Sequence, residues 1–336
     1  MPSPRFVHLR FHSEYSITDG IVRIDPMIHA VLEGGGAAVG ISDLMNVFGG
    51  LRFYTHALAA GLKPILGCDL KVINPNDLNK PFRLGVLCMN HEGYHSLSVL
   101  LTKAFLTNND AARGLVDPKW FDDGGSEGLI ALSGAAQGEL GSLLLGKKWA
   151  LAHEAAERFK AQFPGRFYVE LQRAGRPTDE LATARLANFA VEEKLPVVAT
   201  HPIQFLKPED FEAHEVRCSI AEGYTLQDPR RVKRYTPEQY LKSEAEMCEL
   251  FADIPAAIEN TVEIAKRCNL DGVLLSLNCR FSRRPTACRL TTTSISSQRK
   301  VCKSASSFCI QIRRFWKKGV RPMTSVLNMS LALLKG

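Results

Sequence analysis

The chain has 336 residues, of which 45% are apolar, and carries 42 Lys or Arg against 35 Asp or Glu. This composition is typical of a globular protein of one or two domains, and no apolar run approaches the roughly 20 residues that cross a bilayer. The N-terminus lacks the plan of a signal peptide, and the nine cysteines include no Cys-x-x-Cys pair. We therefore expect a cytoplasmic protein without a zinc ribbon, a disulfide framework or a membrane partner.

The chain opens on a predicted strand that ends in polar residues. In residues 7–12, Val, Leu and Phe alternate with His, Arg and His, and this period of two places the polar side chains on one face. Histidines at a strand end can share a zinc or manganese ion. Two histidines alone are more often ordinary core or surface residues.

Apolar strands and helices then alternate along the chain. Further strands are predicted at residues 38–42, 65–73, 84–89, 129–132, 167–171 and 197–199. With the opening segment these make seven strands, and their alternation with helices predicts parallel strands joined by right-handed crossovers. We expect residues 1–207 to form a closed or nearly closed α/β barrel.

Beyond residue 207 the pattern changes to helices. They are predicted at 209–222, 237–251 and 255–268, and we expect residues 208–271 to be a helical extension packed on the barrel. A basic run, Arg230 to Arg234, lies between two of these helices. Such a run is usually a solvated face, and phosphate contact is its alternative role.

The C-terminal part differs in charge from everything before it. Residues 272–336 contain 13 Lys or Arg and no Asp or Glu, whereas residues 1–271 carry a net charge of −6. One interpretation is a genuine basic arm that contacts DNA phosphates. The other is an out-of-frame read-through, which the abrupt loss of acids and four of the nine cysteines favour. In either case we predict a disordered basic tail.

Several segments together with the opening resemble the PHP (polymerase and histidinol phosphatase) domain that begins the alpha subunit of bacterial DNA polymerase III. They include Ile-Ser-Asp at 41–43, Lys-Pro-Ile-Leu-Gly-Cys-Asp at 63–69, Asn-His-Glu-Gly-Tyr at 90–94, Leu-Pro-Val-Val-Ala-Thr at 195–200 and Ser-Glu-Ala-Glu-Met-Cys-Glu-Leu-Phe at 243–251. The resemblance continues in order from residue 1 to about residue 270. It implies a PHP-type distorted (β/α)7 barrel followed by helices.

In a barrel of parallel strands, the residues just past the C-terminal strand ends converge on one mouth. Here those positions are His12, Asp43, Asp69, Gln172 with Arg173, and His201 with Gln204. PHP domains with a metal centre fill this mouth with histidines and carboxylates, and the metal activates water for phosphoester hydrolysis.

This sequence departs from the metal-binding PHP pattern at five positions. Arg10 and Leu44 stand where the family has histidines, and Asp69 stands where it has glutamate. Pro202 and Gln204 replace the aspartate and histidine of the closing motif. Too few ligands remain for a catalytic cluster of two or three metal ions.

We therefore predict a vestigial mouth formed by Arg10, His12, Asp43, Asp69 and His201, with no catalytic residue. The permanent charge of Arg10 can replace a metal through salt bridges and hydrogen bonds. No metal is expected, and if one binds, its ligands would be His12, Asp43 and Asp69.

The resemblance implies an N-terminal fragment of a replicative DNA polymerase alpha subunit. In that family this domain binds the proofreading exonuclease subunit, and other replicase subunits are further expected partners. We expect no cofactor in this fragment and no nucleotidyl transfer by it, because Mg²⁺ and DNA belong to the polymerase region. The alternative is a free-standing PHP phosphoesterase. The replaced ligands Arg10, Leu44 and Gln204 and the polymerase-like residues 210–269 argue against it.

Overall fold

The computed structural model describes residues 5–107 and 114–270 of the chain. These residues form a six-stranded mixed sheet whose strands lie in chain order. The strands are β1 (Ala38–Ile41), β2 (Lys63–Val72), β3 (Phe82–Cys88), β4 (Leu129–Leu132), β5 (Phe167–Gln172) and β6 (Val197–Thr200). The helices are α1 (Ile24–Glu33), α2 (Gly50–Ala59), α3 (His91–Thr107), α4 (Glu139–Leu145), α5 (Trp149–Gln162), α6 (Asp179–Glu192), α7 (Phe211–Glu222), α8 (Glu244–Leu250) and α9 (Pro255–Arg267). The predicted basic tail, residues 272–336, lies outside the described residues.

The opening segment, residues 6–13, joins the two edges of the sheet. It makes isolated parallel bridges rather than a regular strand, pairing His8 with Val39 of β1 and Phe11 with Ile203 just beyond β6. The N–H of Gly40 donates to the His8 carbonyl over 2.7 Å. A Cβ atom on Gly40 would lie 2.7 Å from a backbone oxygen of this segment, so the close approach requires glycine. The sheet is thereby curled into the expected distorted barrel.

The strand β3 runs antiparallel to both of its neighbours, so the prediction of parallel strands throughout is wrong there. The pairs β1–β2, β4–β5 and β5–β6 are parallel as predicted. The cause is the short helix-free loop at residues 73–81 between β2 and β3. Parallel neighbours need a crossover of about a dozen residues or more. As a result, β3 presents its N-terminal end to the barrel mouth.

Inward-facing residues change from apolar to polar or charged along three strands. These positions are Ile65, Gly67 and Asp69 in β2, Leu87, Gly85 and Arg83 in β3, and Tyr168, Glu170 and Gln172 in β5. The apolar members pack with Val7 and Leu9 inside the barrel. Alternate residues such as Phe167 and Val169 pack outward against the helices. Period-2 alternation therefore separates the inward from the outward residues, and the order along the inward face places apolar groups at one end of the barrel and polar or charged groups at the other.

The helix α9, the last one in the described residues, packs against the sheet near β6 and the opening segment. Asn260 donates from its side-chain amide to the Val197 carbonyl over 2.8 Å, and the Thr261 hydroxyl accepts from the Val7 N–H over 3.0 Å.

The helix predicted from residue 237 begins at Glu244 instead, because Ser243 caps it in a capping box with Glu246. Within the described ranges, no helix combines the length and apolar character of a bilayer span.

Candidate functional site

Arg10 occupies the centre of the barrel mouth and is buried. Its Nη2 lies 2.5 Å from Asp69 Oδ2, at the mouth end of the β2 inward face. Its Nη1 donates to both carboxylate oxygens of Glu170, from β5, over 3.1 and 3.0 Å. One guanidinium thus ties β2 to β5 across the barrel by charge-assisted bonds, which are the stronger class of hydrogen bond.

The two carboxylates that receive Arg10 are also bound by other groups. Arg83 Nη1 donates to Asp69 Oδ2 over 3.2 Å. Glu170 accepts from the Gly134 N–H over 2.9 Å and from the Gln172 amide over 3.0 Å. Although burial opposes it, the charges of Arg10 and Arg83 hold the pKa of Asp69 well below its usual range. Asp69 is therefore a carboxylate at every physiological pH.

His12 lies between two carboxylates. Its Nδ1 is 3.0 Å from Asp19 Oδ2, and its Nε2 is 3.5 Å from Asp69 Oδ2. Burial opposes protonation, but the Asp19 and Asp69 carboxylates outweigh it and raise the pKa of His12 to about 9. At neutral pH the ring is an imidazolium, with both nitrogens protonated and no lone pair for a metal.

Asp43 lies behind the mouth and fixes the turn after the opening segment. Its carboxylate accepts from the Ser13 N–H over 2.6 Å and from the Ser13 hydroxyl over 2.8 Å. Burial raises the pKa of Asp43 to about 6, against the effect of these hydrogen bonds. The charge of His12 also lowers the pKa of Asp43. Both oxygens of Asp43, however, accept hydrogen bonds from Ser13.

His201 is not one of the partners of Arg10, which are Asp69 and Glu170. Its Nε2 lies 2.9 Å from the Glu238 carbonyl, and burial lowers its pKa to about 3. His8 is similar, with Nε2 2.7 Å from the Lys242 carbonyl and a pKa lowered by burial to about 4. Both rings are neutral and tie the barrel to the segment before α8.

Comparisons with known proteins identify the domain. The PHP domain family matches residues 8–174. Those residues belong to the PHP domain family. The DNA polymerase III subunit alpha of Pseudomonas fluorescens is 45% identical over 266 residues, which are 79% of this chain and 23% of that protein. The corresponding subunit of Neisseria meningitidis serogroup B is 46% identical over 272 residues, 80% of this chain and 24% of that protein.

The chain therefore spans about a quarter of the length of these relatives, and it matches their N-terminal region. Among solved structures, a two-domain protein from Bacteroides vulgatus that contains a predicted PHP-like metal-dependent phosphoesterase aligns with a TM-score of 0.40. That alignment has 11% identity and covers 76% of this chain and 62% of that chain.

The PHP mouth of this chain does not suit a metal ion. Asp69 and Glu170 are paired with Arg10, and the carboxylate of Asp43 is engaged by Ser13. In the part of the chain that the structure describes, no group of three or more His, Cys, Asp or Glu side chains has a metal-binding arrangement. Asp69 Oδ1 accepts no hydrogen bond there, but one oxygen is not a coordination shell.

Sequence reasoning missed several residues of the PHP mouth. These are Asp19, Arg83, Glu170, Arg176 and Tyr235, all but Glu170 lining a cavity of about 60 Å³ beside Arg10 and His12. A signal for Glu170 was present, because a carboxylate inside an otherwise apolar strand requires a buried partner. Gln172 and Gln204 line the cavity as expected from their strand ends, whereas Arg173 turns away to pair with Asp253.

Proposed function

We propose that this chain is the PHP region of a replicative DNA polymerase alpha subunit and acts as a scaffold. Its similarity to the N-terminal region of DNA polymerase III alpha subunits supports this proposal. In this account the mouth is a structural cluster of ion pairs and not a phosphoesterase centre.

The observation that carries the proposal is the position of Arg10. Metal-assisted phosphoester hydrolysis needs carboxylates and neutral imidazoles free to coordinate the ion that activates water. Here a permanent cation holds Asp69 and Glu170, and His12 is protonated between Asp19 and Asp69. The same observation argues against a free-standing metal-dependent phosphoesterase.

As the scaffold's partner we propose the proofreading exonuclease subunit, together with other subunits of the replicase. The polymerase chemistry of the relatives, with its Mg²⁺ ions and its contacts to DNA, we assign to regions of those proteins that this chain does not match.

Two assays test the proposal on the full chain. The first measures hydrolysis of p-nitrophenyl phosphate with added Mn²⁺ for the wild type and for His12→Ala. We expect no difference between them and no rate above buffer. A manganese-dependent rate that His12→Ala abolishes would show that the mouth is a catalytic centre.

The second assay is size-exclusion chromatography of the chain mixed with the exonuclease subunit of the same bacterium. We expect co-elution that persists in 0.5 M salt (about a 4 Å Debye length), where binding through the basic tail is screened. Separate elution of the two proteins would rule out the proposed partner while leaving the result for the mouth unaffected.

A further inference from the structure

A second cavity lies at the end of the barrel opposite the mouth, and we call it the lower cleft. Its volume is about 330 Å³. One wall comes from the end of α5 and the start of β5, with Phe163 and Phe167, and the other is the loop of residues 193–196 between α6 and β6. This volume is at the lower end of the roughly 300–1,000 Å³ of ligand sites, so the lower cleft suits a small molecule.

The parallel ladder between β5 and β6 is incomplete beside the lower cleft. Its register begins at Val169 with Val197, and the Val169 N–H donates to the Pro196 carbonyl over 2.8 Å. Alternate residues of a strand bond to the same neighbour, so the main-chain N–H and carbonyl of Phe167 face the same loop. Pro196 has no N–H to give to that carbonyl, and within the described residues no hydrogen bond joins the Phe167 N–H to the loop. A donor and an acceptor of β5 therefore face the cleft without a partner from the β6 side.

Apolar side chains form one side of the lower cleft. The Phe167 ring stacks on Phe159 with the ring centroids 4.7 Å apart, and Phe163 is buried in the same wall. Leu195 is half-buried and Pro196 is exposed, so these two present apolar surface to a ligand. An apolar side chain placed against them would remove that surface from water, which favours binding.

Lys194 supplies a positive charge to the lower cleft. Its side chain is exposed, and among the described residues it has no ion pair. Arg267 adds positive charge nearby, since its Nη2 donates over 3.0 Å to the Gly165 carbonyl in the cleft wall. Glu193 opposes an anion here, but it accepts a hydrogen bond from Lys160, which lowers the pKa of Glu193 and compensates its charge. The unpaired charge of the cleft is therefore positive.

We propose that the lower cleft binds an N-acylated apolar amino acid. The amide N–H of such a ligand donates to the Phe167 carbonyl, and its carboxylate accepts from the Phe167 N–H, as in a hydrogen-bonded pair of an antiparallel ladder. The carboxylate then lies beside Lys194, and the apolar side chain packs on Leu195 and Pro196. This ligand site goes beyond the scaffold role and does not depend on it.

Isothermal titration of the full chain with N-acetylphenylalanine at pH 7 and constant ionic strength tests the proposal. We expect one saturable site, and N-methylation of the ligand amide should weaken binding by about fivefold or more, because the hydrogen bond to Phe167 is lost. Lys194→Gln should weaken binding of the acid by about threefold or more and change that of N-acetylphenylalanine amide by less than about twofold, because the amide carries no charge. The matched control is Lys148→Gln, since Lys148 is also exposed but precedes α5 and does not line the cleft. It should change neither affinity by more than about 1.5-fold.

A second variant tests the main-chain part of the site. Pro196→Ala provides the N–H that the Phe167 carbonyl lacks, so it should weaken binding of both the acid and the amide by about threefold or more. Lack of saturation, or equal effects of Lys194→Gln and Lys148→Gln, would overturn the proposal. Binding of N-acetylglycine as tight as that of N-acetylphenylalanine would also overturn it, because it would show an anion held without the apolar wall, as by the basic residues 272–336.

One further ligand distinguishes two sources of the same chemistry. The peptide Gly-Ser-Gly-Phe with a free carboxylate ends in an acylated apolar residue. If it binds at least as tightly as N-acetylphenylalanine, the ligand is the C-terminal residue of a chain. If it binds more weakly, the ligand is the free acylated amino acid, and both results support the site.

Discussion

Replacing Arg10 with methionine removes the cation that joins β2 to β5 and leaves Asp69 and Glu170 buried beside an apolar side chain. Loss of one partner from a buried ion pair destabilises a protein by about 3–5 kcal/mol. We expect the lower end, about 3 kcal/mol, because Asp69 keeps Arg83 and Glu170 keeps the N–H of Gly134. For a domain of this size that corresponds to a fall of roughly 6–12 °C in the melting temperature.

Urea unfolding followed by circular dichroism at pH 7 measures this change. A second substitution, Glu170→Gln, should recover part of the lost stability in the Arg10→Met background, because it removes an uncompensated buried charge. Arg230→Met is the control, because the Arg230 side chain is 76% exposed beside Asp228, and it should leave the unfolding curve nearly unchanged. A loss below about 1 kcal/mol for Arg10→Met, with no recovery by Glu170→Gln, would refute the structural role of the cluster.

Three further predictions concern stability. In the fold, the pKa values of His8 and His201 are lowered to about 4 and about 3, so the free energy of unfolding should fall as the pH drops below about 6.5. The difference in free energy of unfolding between the wild type and His8→Gln should therefore be smaller at pH 5 than at pH 7. The pKa of His12 is raised to about 9, so its contribution to stability is complete below about pH 6.5 and is lost as the pH rises through 9. The free energy of unfolding should therefore fall between pH 7 and pH 9.5 in the wild type, and this pH dependence should be absent in His12→Gln. Gly40→Ala should lower the free energy of urea unfolding by about 1–3 kcal/mol, because the new Cβ would lie 2.7 Å from the backbone oxygen of Leu9. Gly34→Ala should lower it less, because its Cβ would lie 3.4 Å from the nearest atom, the backbone oxygen of Ala30.

The strand ends and the side-chain alternation were readable from the sequence because they depend on local periodicity. The parallel pairs and the strand-end position of Gln172 follow from it, whereas Asp69, expected just past a strand end, lies inside β2. Arg10 was assigned to the mouth from the resemblance to the PHP pattern, in which a histidine occupies its position, and the structure places it there.

The partners of Arg10 depend on tertiary structure and were not readable in this way. Arg83 reaches the mouth only because β3 is antiparallel, which inverts the rule that C-terminal strand ends carry the site. Asp19 comes from the turn after the opening segment, and its role depends on where the His12 ring lies. His201 occupies an expected strand end, yet its ring turns to a carbonyl beyond β6. The direction of a side chain just past an irregular strand end does not follow from the period-2 alternation within the strand.

The most direct test of the account is the amount of manganese that the purified full chain retains after equilibrium dialysis. Manganese is preferable to zinc, because four of the nine cysteines lie in residues 272–336 and thiolates favour zinc. If guanidinium groups hold the mouth carboxylates, the chain will retain well below one equivalent, and His12→Ala will retain the same amount. One or more equivalents per chain that His12→Ala abolishes would contradict the account.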